Sequence, residues 1–394
     1  MGRKLPMYKA ISEAISQEMK KKVEEFIRKK IDKGLYPGCQ VLISHQRGIV
    51  LNLSLGSMVK GSTSQIDRVN ENTLFNIESI TKVMVTLPLI FKLIEEGRVH
   101  LDDRVINYIP EFRTNQEKEK ITIRNLLNFA GGIPWDDPVG CEEAASKGDL
   151  KKAWNLHYTQ ELAYQPGTKV FYSDVSCRIL GKLLERVIEK SLSLAAKEWI
   201  FDPLGMKNTM FNPQDKENCA ATGKSDNGRL LRGEITQDLA HYLGEVLGSE
   251  GLFSTAKDMF VFSQMILNKG IYKGQRIFGR ITVKKMTEGL TNSDIYESPS
   301  SYIHYILSGP KTWFWEYAFS PHSFFGDLVS KKAIGKMGGA GTFLLIDPEY
   351  DLIIVYLTNY GHPEHTLEEE EGWNKLLKDI DIMGLCNIVL GNLE

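Results

Sequence analysis

Strand signals gather at the two ends of this chain and nearly vanish between them, and that arrangement limits the possible folds more than any other feature. Near the start, Cys39-Gln-Val-Leu-Ile-Ser-His45 and Gly48-Ile-Val-Leu-Asn-Leu-Ser-Leu-Gly56 read as two strands of a hairpin turning through Gln46-Arg47-Gly48. Near the end, Thr342-Phe-Leu-Leu-Ile346 and Asp351-Leu-Ile-Ile-Val-Tyr-Leu357 read as two more, broken by the turn Asp347-Pro-Glu-Tyr350. An open sheet edge is an aggregation hazard, and strands from the other end of the chain can close it. The pattern predicts one largely antiparallel sheet built from both termini. A helix over Ser12–Lys33, apolar at Ile15, Met19, Val23, Phe26, Ile27 and Ile31, and a final helix over 367–382 are expected to cover it.

From Leu101 to about Leu247 helical runs dominate: Ile123–Phe129, Leu150–Tyr158, Val175–Glu189 and Leu192–Trp199. Two more helices are expected, at Ser79–Glu96, kinked by Pro88, and at Ala256–Leu267. The expected fold class is α/β (α+β). It comprises a discontinuous sheet domain over residues 1–75 and 248–394, a mainly helical insertion over 76–247, and a ligand cleft between them.

Composition narrows the function. The chain has 394 residues, 48 Lys+Arg against 50 Asp+Glu and 42% hydrophobic residues, as in a globular protein. That charge balance excludes a dedicated nucleic-acid binder, which needs a basic face. No run of about 18 apolar residues marks a membrane span. The start, Met1-Gly-Arg-Lys-Leu-Pro, lacks the apolar core of a signal peptide, and five scattered cysteines without CxxC read as reduced, so the expected location is the cytoplasm. An exported protein would need a leader ahead of Met1.

Most familiar site patterns are absent. His362-Pro-Glu-His365 alone has ligand-like spacing, and Pro363 makes it a turn, so no metal is expected. GxxxxGK[ST], a helix-opening GxGxxG and GxSxG are all missing, and no organic cofactor is implied. What remains is SxxK, which on a helix sets a Lys amine about 5–6 Å from a Ser one turn earlier. It occurs at Ser57/Lys60, Ser79/Lys82, Ser254/Lys257 and Ser308/Lys311. Ser308 precedes Gly309-Pro310, Ser57 enters a polar loop, and Ser254 reads as a helix N-cap. Only Ser79 opens a long apolar helix, where its amide faces the positive helix end and suits an oxyanion.

The residues around Ser79 carry a resemblance. Leu74-Phe-Asn-Ile-Glu-Ser-Ile-Thr-Lys82, Glu96-Gly-Arg-Val-His-Leu-Asp-Asp103, Pro166-Gly-Thr…Tyr172-Ser-Asp174, Gly251-Leu-Phe-Ser-Thr-Ala-Lys-Asp258 and Gly335-Lys-Met-Gly-Gly-Ala-Gly-Thr342 follow in order and spacing over roughly residues 35–360. Together they resemble the serine β-lactamase/penicillin-binding-protein-like superfamily, in the branch of class C β-lactamases, D,D-peptidases and related carboxylesterases. The resemblance implies Ser79 as acylated nucleophile, Lys82 sharing its proton, Tyr172 as general base and acid, and Lys336 with Gly338 as the Lys-Thr-Gly motif. It also implies an oxyanion hole of the Ser79 and Gly339 amides. Two lysines beside Tyr172 are expected to lower its pKa.

Three positions depart from the family pattern. Asp174 replaces Asn, holds Lys82 protonated if ionised, and disfavours β-lactam hydrolysis; it reads equally as the N-cap of Val175–Glu189. Met337 replaces the motif's threonine and removes a hydroxyl that helps to bind a substrate carboxylate. Asn128-Phe-Ala-Gly131 replaces His-Thr-Ser-Gly. The aromatic stretch Trp313-Phe-Trp-Glu-Tyr-Ala-Phe319 reads as core or as a cleft wall, with the wall preferred. The functional expectation is an acyl-serine hydrolase acting on a small-molecule or peptide ester or amide. A β-lactamase or D,D-peptidase, and a catalytically silent ligand binder, stand as alternatives. The oligomeric state is not legible.

Overall fold

Seven antiparallel strands form the main sheet of the computed structural model, which describes residues 5–224, 228–235, 238–288, 311–318, 323–360 and 370–393. Across the sheet the order is Lys311–Thr312, Trp315–Tyr317, Ile334–Gly338, Thr342–Asp347, Leu352–Thr358, Gly38–His45 and Gly48–Gly56. The chain ends meet as expected: Gly38–His45 runs against Leu352–Thr358, from the Cys39–Thr358 pair to the His45–Leu352 pair.

Leu352–Thr358 is buried at every residue, which explains its unbroken apolar run. Alternate side chains feed two cores. Leu352, Ile354 and Tyr356 pack with Met19, Val23 and Ile27 of the first helix (Leu5–Asp32) and with Leu385 and Val389 of the last (Ile382–Leu390). Ile353, Val355 and Leu357 join a larger cluster containing Val83, Leu87 and Ile90, Leu180 and Leu184, and Met259 and Phe262. Each such side chain contributes about 1.5–3 kcal/mol on burial. One buried cluster thus runs unbroken from the sheet's inner face into the helices of the middle of the chain.

Several expectations need correction. The Asp174–Ile188 helix is capped by Ser173, whose hydroxyl accepts from the Ser176 amide, so Asp174 is not the cap. Thr255, not Ser254, caps Ala256–Leu267; Ser254 belongs to the short strand Leu252–Ser254. The middle of the chain also carries the short strands Met210–Phe211, Ala221–Lys224 and Leu230–Arg232, too brief to leave a periodic signal. The final helix is two, Glu370–Ile380 and Ile382–Leu390, separated at Asp381, whose φ is 54°. His362, His365 and Ser308 lie outside the described residues, as do the side chains of the acidic run 368–371.

The Ser79 helix differs most. A 3-10 turn (Glu78–Ile80) is followed by a π turn (Lys82–Thr86) and then a regular helix (Leu87–Glu95). Pro88 sits in the first turn of that last piece, where its missing N–H costs least. The irregularity therefore precedes Pro88 and falls on the segment from Glu78 to Thr86.

Candidate active site

The Glu78–Ile80 turn is held from three sides. Asn76 donates through Nδ2 to Glu78 Oε1 (2.7 Å) and accepts from the Glu78 amide (3.0 Å). The Ile77 amide donates to Leu252 O (2.9 Å), and Thr81 Oγ1 accepts from the Leu252 amide (3.2 Å). On the sheet side Gly338 presses on the turn: a Cβ there would meet Ile77 O at 2.5 Å and Thr342 Oγ1 at 2.4 Å, so only glycine fits. Glu78, with φ 48°, adopts a left-handed conformation that costs a non-glycine residue about 1–3 kcal/mol and persists because these contacts over-determine it.

Ser79 is partly exposed and stands between Tyr172 and Lys82. Its Oγ lies 2.7 Å from the Tyr172 hydroxyl and accepts from Lys82 Nζ at 2.9 Å. Lys82 is fully buried; its Nζ also donates to Ser249 O (2.8 Å) and forms an ion pair with Asp174 Oδ1 (2.6 Å). Burial opposes the charge on Lys82, but Asp174 outweighs it and raises the amine above its ordinary pKa. For Asp174 burial is again opposed, here by Lys82 and Arg178, and the carboxyl lies below its ordinary value. The resting pair is an ammonium and a carboxylate.

Tyr172 corrects an expectation. The ammonium groups of Lys82 and Lys336 lie 5.0 and 4.9 Å from its ring centroid, yet its pKa is raised well above the ordinary value. Burial is the main cause and the Asp174 carboxylate adds to it, so the phenol rests protonated. Phe129 and Trp135 pack on its ring at 4.8 and 5.2 Å, and Phe129 also meets Phe314 at 5.2 Å. Asn128-Phe-Ala-Gly131 therefore supplies an aromatic buttress for Tyr172. The 313–317 stretch is core that reaches Tyr172 through Phe129, with Trp313 packed on Phe91.

Lys336 lies on the inner strand Ile334–Gly338, as the resemblance implies. Its Nζ donates to Glu316 Oε1 at 2.6 Å, and both side chains are almost completely buried. Met337 packs with Phe343, Leu345 and the terminal helices. Gly339 follows directly on Gly338 beside the Glu78–Ile80 turn and, like Ser79, is partly exposed.

Around this centre runs a second layer of charge that the sequence did not flag. Buried Arg178 binds Asp137 and, at 3.0 Å, Glu250, which also accepts from Ser249 Oγ (2.9 Å). Gly248 lets that segment approach: a Cβ there would meet Cys177 O at 2.2 Å. Burial and the nearby Glu250 push Glu78 up to about 8. Arg178, four residues beyond Asp174 on an apolar helix, was a readable signal; Glu316 and the Ser249 carbonyl had none.

For a metal, Glu234, His241 and Glu245 put potential ligand atoms within 4.8 Å of one another. Glu234, however, already binds Arg229 and Lys216, each at 2.8 Å, and the hydrogen bond from Arg229 leads in lowering its pKa to about 2. That set reads as an ion-pair network.

Known proteins share this architecture. The Beta-lactamase family model matches residues 23–377. A putative D-alanyl-D-alanine carboxypeptidase of Escherichia coli K12 is 32% identical over 86% of this chain and 82% of its own length. An N-acetylmuramyl-L-alanine amidase of Bacillus subtilis is 28% identical over 90% of this chain and 83% of its own. Among solved structures, the hydrolase EstCE1, with promiscuous acyltransferase activity, superposes with a TM-score of 0.71 at 20% identity, covering 93% of this chain and 99% of that one. An octameric penicillin-binding protein homologue from Pyrococcus abyssi gives 0.66 at 22% identity, covering 87% and 74%. The chain belongs to the β-lactamase family, in the serine β-lactamase/penicillin-binding-protein-like superfamily.

Proposed function

We propose that this protein is an acyl-serine hydrolase that opens an ester or amide bond through an acyl-enzyme on Ser79. The observation that carries the reading is the placement of Ser79 Oγ within hydrogen-bond reach of both Tyr172 and Lys82. The relatives named as carboxypeptidase, amidase and hydrolase all belong to chemistries of acyl transfer, which supports it.

The resting protonation states decide the order of events. Neither a neutral lysine nor a phenolate is present at rest, so neither is the final proton acceptor. As Ser79 attacks the carbonyl, its proton passes to Tyr172 while the phenol's own proton moves toward Asp174, whose carboxylate is the available base. Lys82 stays charged and stabilises the oxygen anion developing at Ser79. The Ser79 and Gly339 amides receive the carbonyl oxyanion. The proton then returns through Tyr172 to the leaving group, and water repeats the sequence to release the acyl group. No metal or organic cofactor is assigned a role. Acidic and aromatic groups around Tyr172 favour a small ester or peptide as substrate over a β-lactam.

Intact-mass spectrometry after incubation with a p-nitrophenyl ester and, separately, penicillin tests this reading. The expected result is ester turnover with an adduct on the Ser79 peptide, both lost in Ser79→Ala. Undiminished turnover in Ser79→Ala sinks the assignment, and consumption of neither probe by the wild type favours the silent-binder alternative.

A further inference from the structure

Among the described residues, each buried cation beside Tyr172 is paired with a carboxylate. Lys82 is engaged by Asp174, Arg178 by Asp137 and Glu250, and Lys336 by Glu316. Three cations therefore face four carboxylates, with Glu78 as a fifth acid in the same shell. Glu316 holds Lys336 through Oε1, and among the described residues its Oε2 has no hydrogen-bond partner. Met337 adds no hydroxyl to the cleft.

Building on the acyl-serine reading, we propose that Glu316 is a specificity-determining residue: by cancelling Lys336, it makes this cleft reject acyl donors that carry a carboxylate beside the scissile bond and accept neutral or ammonium-bearing esters and amides. An ammonium 2.6 Å from a buried carboxylate presents a dipole, not a net charge, to a ligand several ångströms away. A substrate carboxylate entering there finds no net attraction from Lys336 while it loses water. At an effective dielectric of about 20 and a separation of about 7 Å, one uncompensated charge alters binding by roughly tenfold or more.

The test compares kcat/KM for p-nitrophenyl esters of matched length with a neutral (butyryl), an anionic (succinyl) and an ammonium-bearing (β-alanyl) acyl group. The wild type is expected to process the succinyl ester at least about tenfold less well than the other two. Glu316→Gln, which keeps the shape and removes the charge, is expected to raise the succinyl-to-butyryl ratio about tenfold, and Glu316→Asp to keep the wild-type ratio. Using the ratio within each variant removes any general loss of activity. An unchanged ratio in Glu316→Gln overturns the proposal. If that variant does not fold, the wild type decides alone, and equal use of succinyl and butyryl esters overturns it. Butyryl turnover that vanishes in Ser79→Ala shows that the acyl-serine reading stands even where the charge preference fails; absence of turnover for all three esters overturns that reading itself.

Discussion

Two lysine–carboxylate pairs flank Tyr172 with the same 2.6 Å separation and different consequences. Lys82–Asp174 lies on the helical side, and its ammonium also touches the nucleophile and a backbone carbonyl. Lys336–Glu316 lies on the sheet side, where the ammonium meets the ring of Tyr172 and its own carboxylate. The Asp174 side chain keeps 23% exposure, whereas Glu316 keeps 1%. The first pair touches Ser79 Oγ through its ammonium, whereas the second packs against the Tyr172 ring. Under the readings proposed above, one pair would move protons and the other would set the field in which substrate charge is read.

The sharpest break of this comparison removes the proton carrier between the pairs. Tyr172→Phe is expected to lower ester turnover by about 10²-fold or more with the fold intact, measured by steady-state kinetics beside circular dichroism. Near-wild-type turnover ends the relay through Tyr172. Its counterpart Lys82→Met should cost a similar factor in kcat, because a neutral side chain cannot stabilise the Ser79 oxyanion.

A smaller effect separates the roles of the two carboxylates. Asp174→Asn removes the terminal acceptor and frees Lys82 from its counter-ion, so turnover near neutral pH should fall about tenfold. The sign of the pH effect follows from the shifts. In the wild type activity needs ionised Asp174, whose pKa is lowered, so its acid limb lies low. In Asp174→Asn the base is neutral Lys82, so activity rises only as the amine loses its proton and the acid limb moves to higher pH. An unmoved limb would leave Asp174 with an electrostatic role only.

The smallest expected change is one of stability. Glu78 is pushed up to about 8 in the fold from an ordinary value of 4.5. Between these values the folded chain holds a proton that the unfolded chain releases, so this residue lowers stability as pH rises. Glu78→Gln should therefore be more stable than the wild type at pH 9, by up to a few kcal/mol, with a smaller difference at pH 5, as read from denaturant midpoints. Equal differences at both pH values exclude Glu78 titration as the cause.

Local and ordered information was legible in the chain. Strands at both ends foretold a sheet closed between the termini, because an apolar run such as Leu352–Thr358 has no stable place except between two layers. Ser79 and Lys82 share a spacing that occurs four times in the chain, and the long apolar helix that Ser79 opens set them apart. Tyr172, Lys336, Gly338 and Gly339 came from motif order in a family resemblance, since no local pattern marks residues far from Ser79 in the chain. The cap of the Asp174–Ile188 helix stayed open in the sequence, where Asp174 reads equally as cap and as site residue; in the structure Ser173 caps the helix and Lys82 engages Asp174.

What the sequence determined alone is therefore the fold class, set by hydrophobic patterning; it also offered the Ser79–Lys82 pair as a candidate, set apart by the long apolar helix that Ser79 opens. The tertiary structure decided the charge state of the site. Glu316 reaches Lys336 through strand packing, Ser249 reaches Lys82 because Gly248 allows the backbone to come close, and burial outweighs two lysines in keeping Tyr172 protonated. Such effects depend on distance and desolvation between residues remote in the chain, and neither quantity is written in the order of the amino acids.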